Sequence, residues 1–373
     1  MREALAERLL AQVMEWTPAD VASERPLLQA MAAFKYDEYQ QFAPGMRFVE
    51  SLALWLNQFK TKPERDAAYD FVKKRLIFFS NAEMAHFVSV AYPDHIRPLL
   101  IQNAARALNV PHRYVLKITQ SPEFHAIRRR CLFLGLSDGA RIDVFRRCNP
   151  EISHEQILQT YELSKEKSGS VQEELQKDLG SIIGREATSE ESYFRMIFLL
   201  DDFSGSGLSY LRRPEKDSPF SGKIAKFYKQ LINYFTDPAN IFNLDDLYVG
   251  ILLYVATEKT RNYLETALSE LFEESRVGWG IHIVQYLPHK VACQTISDKD
   301  FIDLADCYYD SNAEDQHTKK GGKDVKCGFA GCGLPVVLSP NTPNNSMFLL
   351  WANPEQHTVR GLFPRISRHR SES

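Results

Sequence analysis

The chain has 373 residues, of which 44 % are hydrophobic, 12 % aromatic and 25 % charged, and 45 basic against 48 acidic side chains give a formal net charge of −3. This ordinary globular mixture excludes a disordered, collagen-like or coiled-coil chain, and the length leaves room for two domains or one large one. A protein so close to neutrality has no overall attraction for nucleic acid, so any such contact must come from a local patch.

The first ~120 residues read as mostly helical. Leu5, Leu9, Val13 and Trp16 fall on one helix face. The start Met1-Arg2-Glu3 carries an acid in place of the basic and apolar regions of a signal peptide. Thr17-Pro18-Ala19-Asp20 supplies a cap, a proline at the first helical position and an acid in the first turn. Phe48, Leu52, Trp55 and Phe59 make a further stripe. Within Arg75–Pro93 the run Leu76-Ile77-Phe78-Phe79 fits a strand or a buried helix, and periodicity alone does not decide. The plain reading of these stripes is core packing.

From residue 121 the pattern becomes α/β. Cys131–Leu136 is a short apolar run that ends in a Gly/Ser/Asp/Gly loop, and Ser153 with Gln156 reads as a capping box for a helix to about Leu179. Continuous apolar runs follow at Met196–Leu200, Val249–Val255 and Ile281–Tyr286, with an amphipathic segment Thr260–Phe272 between the last two. Such runs separated by helices predict a parallel sheet covered on both faces. Leu334–Leu338 and Met347–Trp351 flank the turn-rich Asn341–Asn345, Asp310–Lys326 reads as an exposed loop, and the tail from Arg365 is basic. The expected division is a helical region over 1–120 and an α/β domain over 121–373.

No apolar run reaches the ~18 residues of a membrane span. Six sparse cysteines argue for reduced thiols in a cytoplasm. Cys327 and Cys332, with Cys307 and His317 upstream, lack the second close pair of a zinc site, so no metal ligand set is assigned. A catalytic cysteine with His125 or His154 has no supporting pattern.

The informative stretch is Ile197-Phe198-Leu199-Leu200-Asp201-Asp202-Phe203-Ser204-Gly205-Ser206-Gly207-Leu208-Ser209. A buried strand delivers two adjacent carboxylates at its C-terminal end, where ligands bind in open α/β sheets. Glycines then let the backbone approach an anion, and amides with serine hydroxyls can ring a phosphate. Carboxylates are poor phosphate ligands and good acceptors for ribose hydroxyls, so the stretch suits a sugar phosphate. It fails the Walker A pattern, the dinucleotide fingerprint (Tyr210 stands where glycine is needed) and the hydrolase elbow.

This stretch resembles the ribose-phosphate motif of type I phosphoribosyltransferases: a hydrophobic strand, two acids, an apolar residue, two variable positions, then Thr-Gly-x-Thr. Asp201 and Asp202 match the acids. Ser206-Gly207-Leu208-Ser209 matches the tail, with serine for both threonines. A wider resemblance takes in Gly135-Leu136-Ser137-Asp138-Gly139-Ala140-Arg141-Ile142-Asp143, Asn341–Asn345 and Leu362-Phe363-Pro364-Arg365. These look like a divergent phosphoribosyltransferase group of bacterial conflict systems, encoded in antiviral defence loci and in some cases beside a retron reverse transcriptase.

The resemblance implies a site for phosphoribosyl pyrophosphate or a related nucleotide. Asp201 and Asp202 would meet the ribose, and Ser204, Gly205, Ser206, Gly207, Leu208 and Ser209 the phosphate. The Gly135–Arg141 loop would hold pyrophosphate, with Ser137 and Gly139 lining it. Arg141 would pair with a phosphate, and Asp138 would hold Mg²⁺ through water. The plainer readings are an Asx turn for Asp138 and a salt bridge for Arg141. Asn344, Asn345 and Arg365 are candidates for base or partner contact, or for simple turn caps. Arg128-Arg129-Arg130 with Arg146-Arg147, and Arg360 with Arg365, Arg368, His369 and Arg370, form two basic clusters that could meet phosphate or lie on solvated faces.

Two functions stay open. One is a cytoplasmic effector enzyme, toxic when released, that transfers or cleaves at ribose C1. The other is a non-catalytic nucleotide sensor that associates with a reverse transcriptase and its RNA/DNA product. Neither involves a membrane, and either could be oligomeric.

Overall fold

The computed structural model describes residues 3–366, apart from 163, 214, 216, 217, 236–239, 274, 315–317 and 323. His317, Arg368, His369 and Arg370 lie outside the described residues. Seven strands occur among the described residues: β1 (Ile77–Phe79), β2 (Cys131–Gly135), β3 (Ile157–Leu158), β4 (Met196–Ser204), β5 (Tyr248–Thr257), β6 (Gly278–Leu287) and β7 (Val336–Leu338). They form a five-stranded sheet of order β3-β2-β4-β5-β6 and a two-stranded sheet β1-β7, all parallel. No described helix is long and apolar enough to cross a membrane.

The chain divides into two compact units. One joins residues 1–83 to 288–373, and the other is the continuous stretch 84–287. The boundary expected near residue 120 does not coincide with either cut. The reason is long-range packing that leaves no trace in local periodicity. In the first unit Ile77 pairs with Val336 in β1-β7, Phe71 stacks on Phe301 with ring centroids 3.5 Å apart, and Trp55 Nε1 donates to Leu349 O at 2.8 Å. Tyr36, Tyr39, Phe42, Phe48 and Phe78 surround Phe363. The C-terminal segment therefore supplies 15 of the 34 described buried residues in the core around the N-terminal helices.

Those helices form where the sequence predicts them. Thr17 caps Pro18–Phe34 in a reciprocal box with Asp20, and Phe48–Leu56 buries Phe48, Leu52 and Trp55 completely. The ambiguous run resolves as β1 followed by the helix Asn81–Val90. Part of Asp310–Lys326 is tied down: Val325 is fully buried, and its amide donates to the Tyr309 hydroxyl.

In the second unit, β2 is buried throughout, β5 is buried from Val249 to Thr257, and β4 is a buried apolar run up to Leu200, before its two acids, as expected of parallel strands covered on both faces. Ile197 and Leu199 pack toward Val171, Leu175, Leu231 and Leu264 in one cluster. Phe198 stacks on Phe133 at 5.6 Å on the other face. Each such side chain contributes roughly 1.5–3 kcal/mol by leaving water. Ser153 and Gln156 do not open the long helix: Ser153 precedes a single 3-10 turn, His154–Gln156, and makes no side-chain cap bond. The buried Gln156 amide donates to Arg128 O and Cys131 O at 2.7 Å, so the segment continues as β3, and the helix Lys165–Ile183 starts later under a Ser164 cap.

Strand order fixes where a ligand can lie. From β2 the chain winds outward to β3, then returns to the other side of β2 as β4 and winds away to β6. Winding reverses between β2 and β4, and a crevice forms beyond the C-terminal ends of the two strands at such a point.

Candidate functional site

Two loops leave the sheet at this reversal. Gly135 pairs with Leu200, so the loop after β2 runs beside the acids at the end of β4. Ser137 caps the turn Asp138–Ala140 by accepting from Gly139 N at 3.2 Å, and the same hydroxyl donates to Asp201 Oδ1. Arg141 follows with φ +48°, a left-handed conformation that costs a non-glycine residue energy. Tyr254, fully buried on β5, donates its hydroxyl to Ala140 O at 2.8 Å and holds the turn from below.

The two acids differ in surroundings. Asp201 is 1 % exposed. Its Oδ1 also accepts from Asp202 N at 3.1 Å, and its Oδ2 accepts from Lys223 Nζ at 2.7 Å. Asp202 is half-buried; its Oδ1 accepts from Phe203 N at 2.8 Å, and its Oδ2 takes no hydrogen bond among the described residues. A Cβ on Gly139 would stand 2.3 Å from that oxygen, so only glycine leaves it room. Burial and then the neighbouring Asp201 charge push the Asp202 carboxyl up to about 6, while Lys223, the Phe203 amide and Arg141 pull the other way. Burial together with both carboxylates raises the Tyr210 hydroxyl well above its ordinary value.

The loop beyond the acids is internally braced. Ser204 and Ser206 are buried, and their Oγ atoms accept from Gly207 N at 3.1 Å and Leu208 N at 3.4 Å. Thr257 Oγ1 donates to Gly205 O at 2.8 Å, and Thr260 Oγ1 to Ser204 O at 3.0 Å, so β5 and its following helix clamp the loop. Gly207 has φ +78°, and a Cβ there would lie 2.8 Å from the Tyr263 ring. Leu208 is half-buried and Ser209 exposed.

The structure thus brings Ser137, Gly139, Asp201 and Asp202 together, with Arg141 close enough to act on the Asp202 charge. Asp138 is exposed on the same turn. Asn344, Asn345 and Arg365 belong to the other compact unit. There Asn344 O accepts from Phe329 N, the buried Asn345 amide donates to Phe329 O at 3.1 Å, and Arg365 N donates to Trp351 O at 2.9 Å. The basic cluster at 128–147 is largely structural: Arg129 is 5 % exposed and pairs with Asp178 at 2.6 Å, and Arg146 donates to Ile157 O at 2.8 Å. Arg360 donates its amide to Gln58 Oε1.

Sequence reasoning missed Lys223, Tyr210, Thr257 and Thr260, because each reaches the site from outside the motif. The one available signal was Gly222, a glycine immediately before a lysine that opens an amphipathic helix, Lys223–Phe235.

Among the described residues no three His, Cys, Asp or Glu side chains gather to hold a metal ion. Asp138 is an exposed carboxylate on the turn after β2, and Mg²⁺ favours one or two carboxylates plus substrate phosphates over an all-protein cage. Two surface clefts, one along Glu173–Ala187 and one along Gln102–His112, are not lined by the acids.

A family model described as PRTase-CE matches residues 52–365, most of the chain. No curated protein matches, and no solved structure matches.

Proposed function

The chain belongs to the PRTase-CE family and is phosphoribosyltransferase-like, and from that premise we propose that the reversal between β2 and β4 binds phosphoribosyl pyrophosphate or a related nucleotide. One observation carries the reading: Asp202 holds a carboxylate oxygen that takes no hydrogen bond among the described residues, against a glycine, beside a glycine-turned loop. That is an acceptor for a ribose hydroxyl next to a backbone suited to phosphate. Gly207, Leu208 and Ser209 form the phosphate end, and Arg141 and the Asp138 turn face the pyrophosphate end.

Asp138 would hold Mg²⁺, which when bound would supply positive charge to the leaving group. If the site is catalytic, the bond from ribose C1 to the pyrophosphate oxygen breaks with its electron pair leaving on pyrophosphate. A nitrogen or water oxygen then bonds C1 and loses a proton. Asp202, ionised above about pH 6, stabilises the positive charge on the ribosyl ring, and the Arg141 guanidinium donates hydrogen bonds to the departing phosphates. The filled state of Asp201 favours a second reading, a site that binds the nucleotide without turning it over.

In its cellular setting we read the protein as a defence effector, toxic when released. Calorimetry with phosphoribosyl pyrophosphate and Mg²⁺ tests the site. Wild type is expected to bind, and Asp202→Asn to bind at least about tenfold more weakly, as loss of a hydrogen bond to a charged group implies. Absence of binding by folded wild type would sink the ligand class. Pyrophosphate release separates enzyme from sensor, and any toxicity on expression is expected to vanish in the same variant.

A further inference from the structure

Lys223 is placed at a local cost. It is the first residue of the helix Lys223–Phe235, the end at which the helix dipole disfavours a cation. The residue before it, Gly222, holds φ +113°, and a Cβ there would lie 2.4 Å from Tyr210 O. The lysine is pinned at both ends: its amide donates to Ser209 O at 3.2 Å, and its ammonium lies 2.7 Å from Asp201 Oδ2 and 5.3 Å from the centre of the Tyr210 ring. Features that break local rules mark places where function constrains the chain.

This placement fills Asp201. A carboxylate offers about four acceptor positions. At Asp201 three of them meet the Ser137 hydroxyl, the Asp202 amide and the Lys223 ammonium, while the Tyr210 hydroxyl donates to Phe203 O at 3.3 Å. With 1 % exposure, nothing of this carboxylate is left for a ligand. Asp202 Oδ2 takes no hydrogen bond among the described residues, and Gly139 hems it on one side.

We propose that Lys223 sets the hydroxyl selectivity of the site: by occupying Asp201 it leaves Asp202 to meet the ligand alone, so the site grips a sugar phosphate through a single hydroxyl, the 3-hydroxyl, and takes 2-deoxyribose 5-phosphate about as well as ribose 5-phosphate. The inference rests on the ribose-phosphate reading and narrows it. Lys223 and Asp201 are positioning residues; Asp202 touches the ligand. A ligand class with one free ring hydroxyl, including deoxynucleotides, follows.

The test is calorimetry of ribose 5-phosphate and 2-deoxyribose 5-phosphate on the full chain, with phosphoribosyl pyrophosphate titrated alongside. In wild type the two sugar phosphates are expected to bind within about threefold of each other, since a second hydroxyl–carboxylate bond would be worth roughly tenfold or more. Lys223→Met and Lys223→Gln release Asp201 and are expected to raise the ribose preference to about tenfold. Lys223→Arg keeps the wild-type ratio, and melting curves confirm that each variant is folded. A wild-type ribose preference above tenfold overturns the inference and leaves the ribose-phosphate reading standing. A ratio that stays at the wild-type value in both folded Met and Gln variants removes Lys223 from the selectivity. If neither sugar phosphate binds, the inference falls, and the phosphoribosyl pyrophosphate titration shows whether the broader reading falls with it.

Discussion

Two loops of this protein use the same ingredients to different ends. Each follows a parallel strand and is rich in small polar or turn-forming residues: Ser, Asn, Thr and Pro after β7, Ser and Gly after β4. After β7, four polar side chains turn inward: Ser339 donates to Glu38 O, Thr342 to Phe363 O at 2.9 Å, Asn345 to Phe329 O and Ser346 to Val336 O at 2.6 Å. After β4, Asp202 keeps an oxygen without a partner among the described residues, and Ser209 lies open. The sequences of the two loops look equally suited to binding. What separates architecture from a binding site is which polar atoms still have bonding capacity after folding.

The comparison can be broken at its strongest point first. Phe363 sits among five aromatic rings and is fully buried, so Phe363→Ala is expected to cost about 3–5 kcal/mol, read from denaturant unfolding. A loss below about 1 kcal/mol would mean that the aromatic cluster does not hold the first unit together. Next, Asn345→Ala strips two donor contacts, to Phe329 O and Cys332 Sγ, from a buried position and is expected to cost about 1–3 kcal/mol. If that variant is as stable as wild type, the β7 loop is not architecture in the sense argued.

The smallest effect lies on the other loop and has the opposite sign. Asp202 is raised from 3.8 to about 6 on folding, so the folded chain binds this proton more tightly than the unfolded one. Its contribution to stability is therefore greatest at acid pH, falls as pH rises from about 4 to about 6, and is flat above. Asp202→Asn removes that loss and is expected to raise stability at pH 7 by on the order of 1 kcal/mol, discounted for partial exposure. Ligand affinity should fall in the same variant. Melting temperatures across pH 4–8 check the first statement, and a wild type without the falling limb would contradict it.

Much of this was legible in the chain. β4 and its acids, the flanking apolar strands β2, β5 and β6, and the helical start all follow from periodicity and capping residues. Two things were not. The division into units depends on Phe363, Phe301 and β7 packing against helices far away in the chain, and no local window contains that information. The asymmetry of the acids depends on Lys223 and Tyr210, whose reach is set by the path from Ser209 to the helix at 223. Asp201 and Asp202 are chemically identical in sequence; only their neighbours tell them apart.

The β1-β7 pairing has a consequence for the time course of biosynthesis. Ile77 leaves the ribosome long before Val336, its partner, exists. The continuous unit 84–287 is complete in the nascent chain before the split one can close. Through that interval Trp55, Phe48 and Leu52 lack the C-terminal residues that cover them, and such apolar surface is what chaperones and aggregation compete for. A chain stopped before residue 336 would carry the acid-pair loop on a finished sheet beside an unclosed helical half, a product open to clearance by proteolysis.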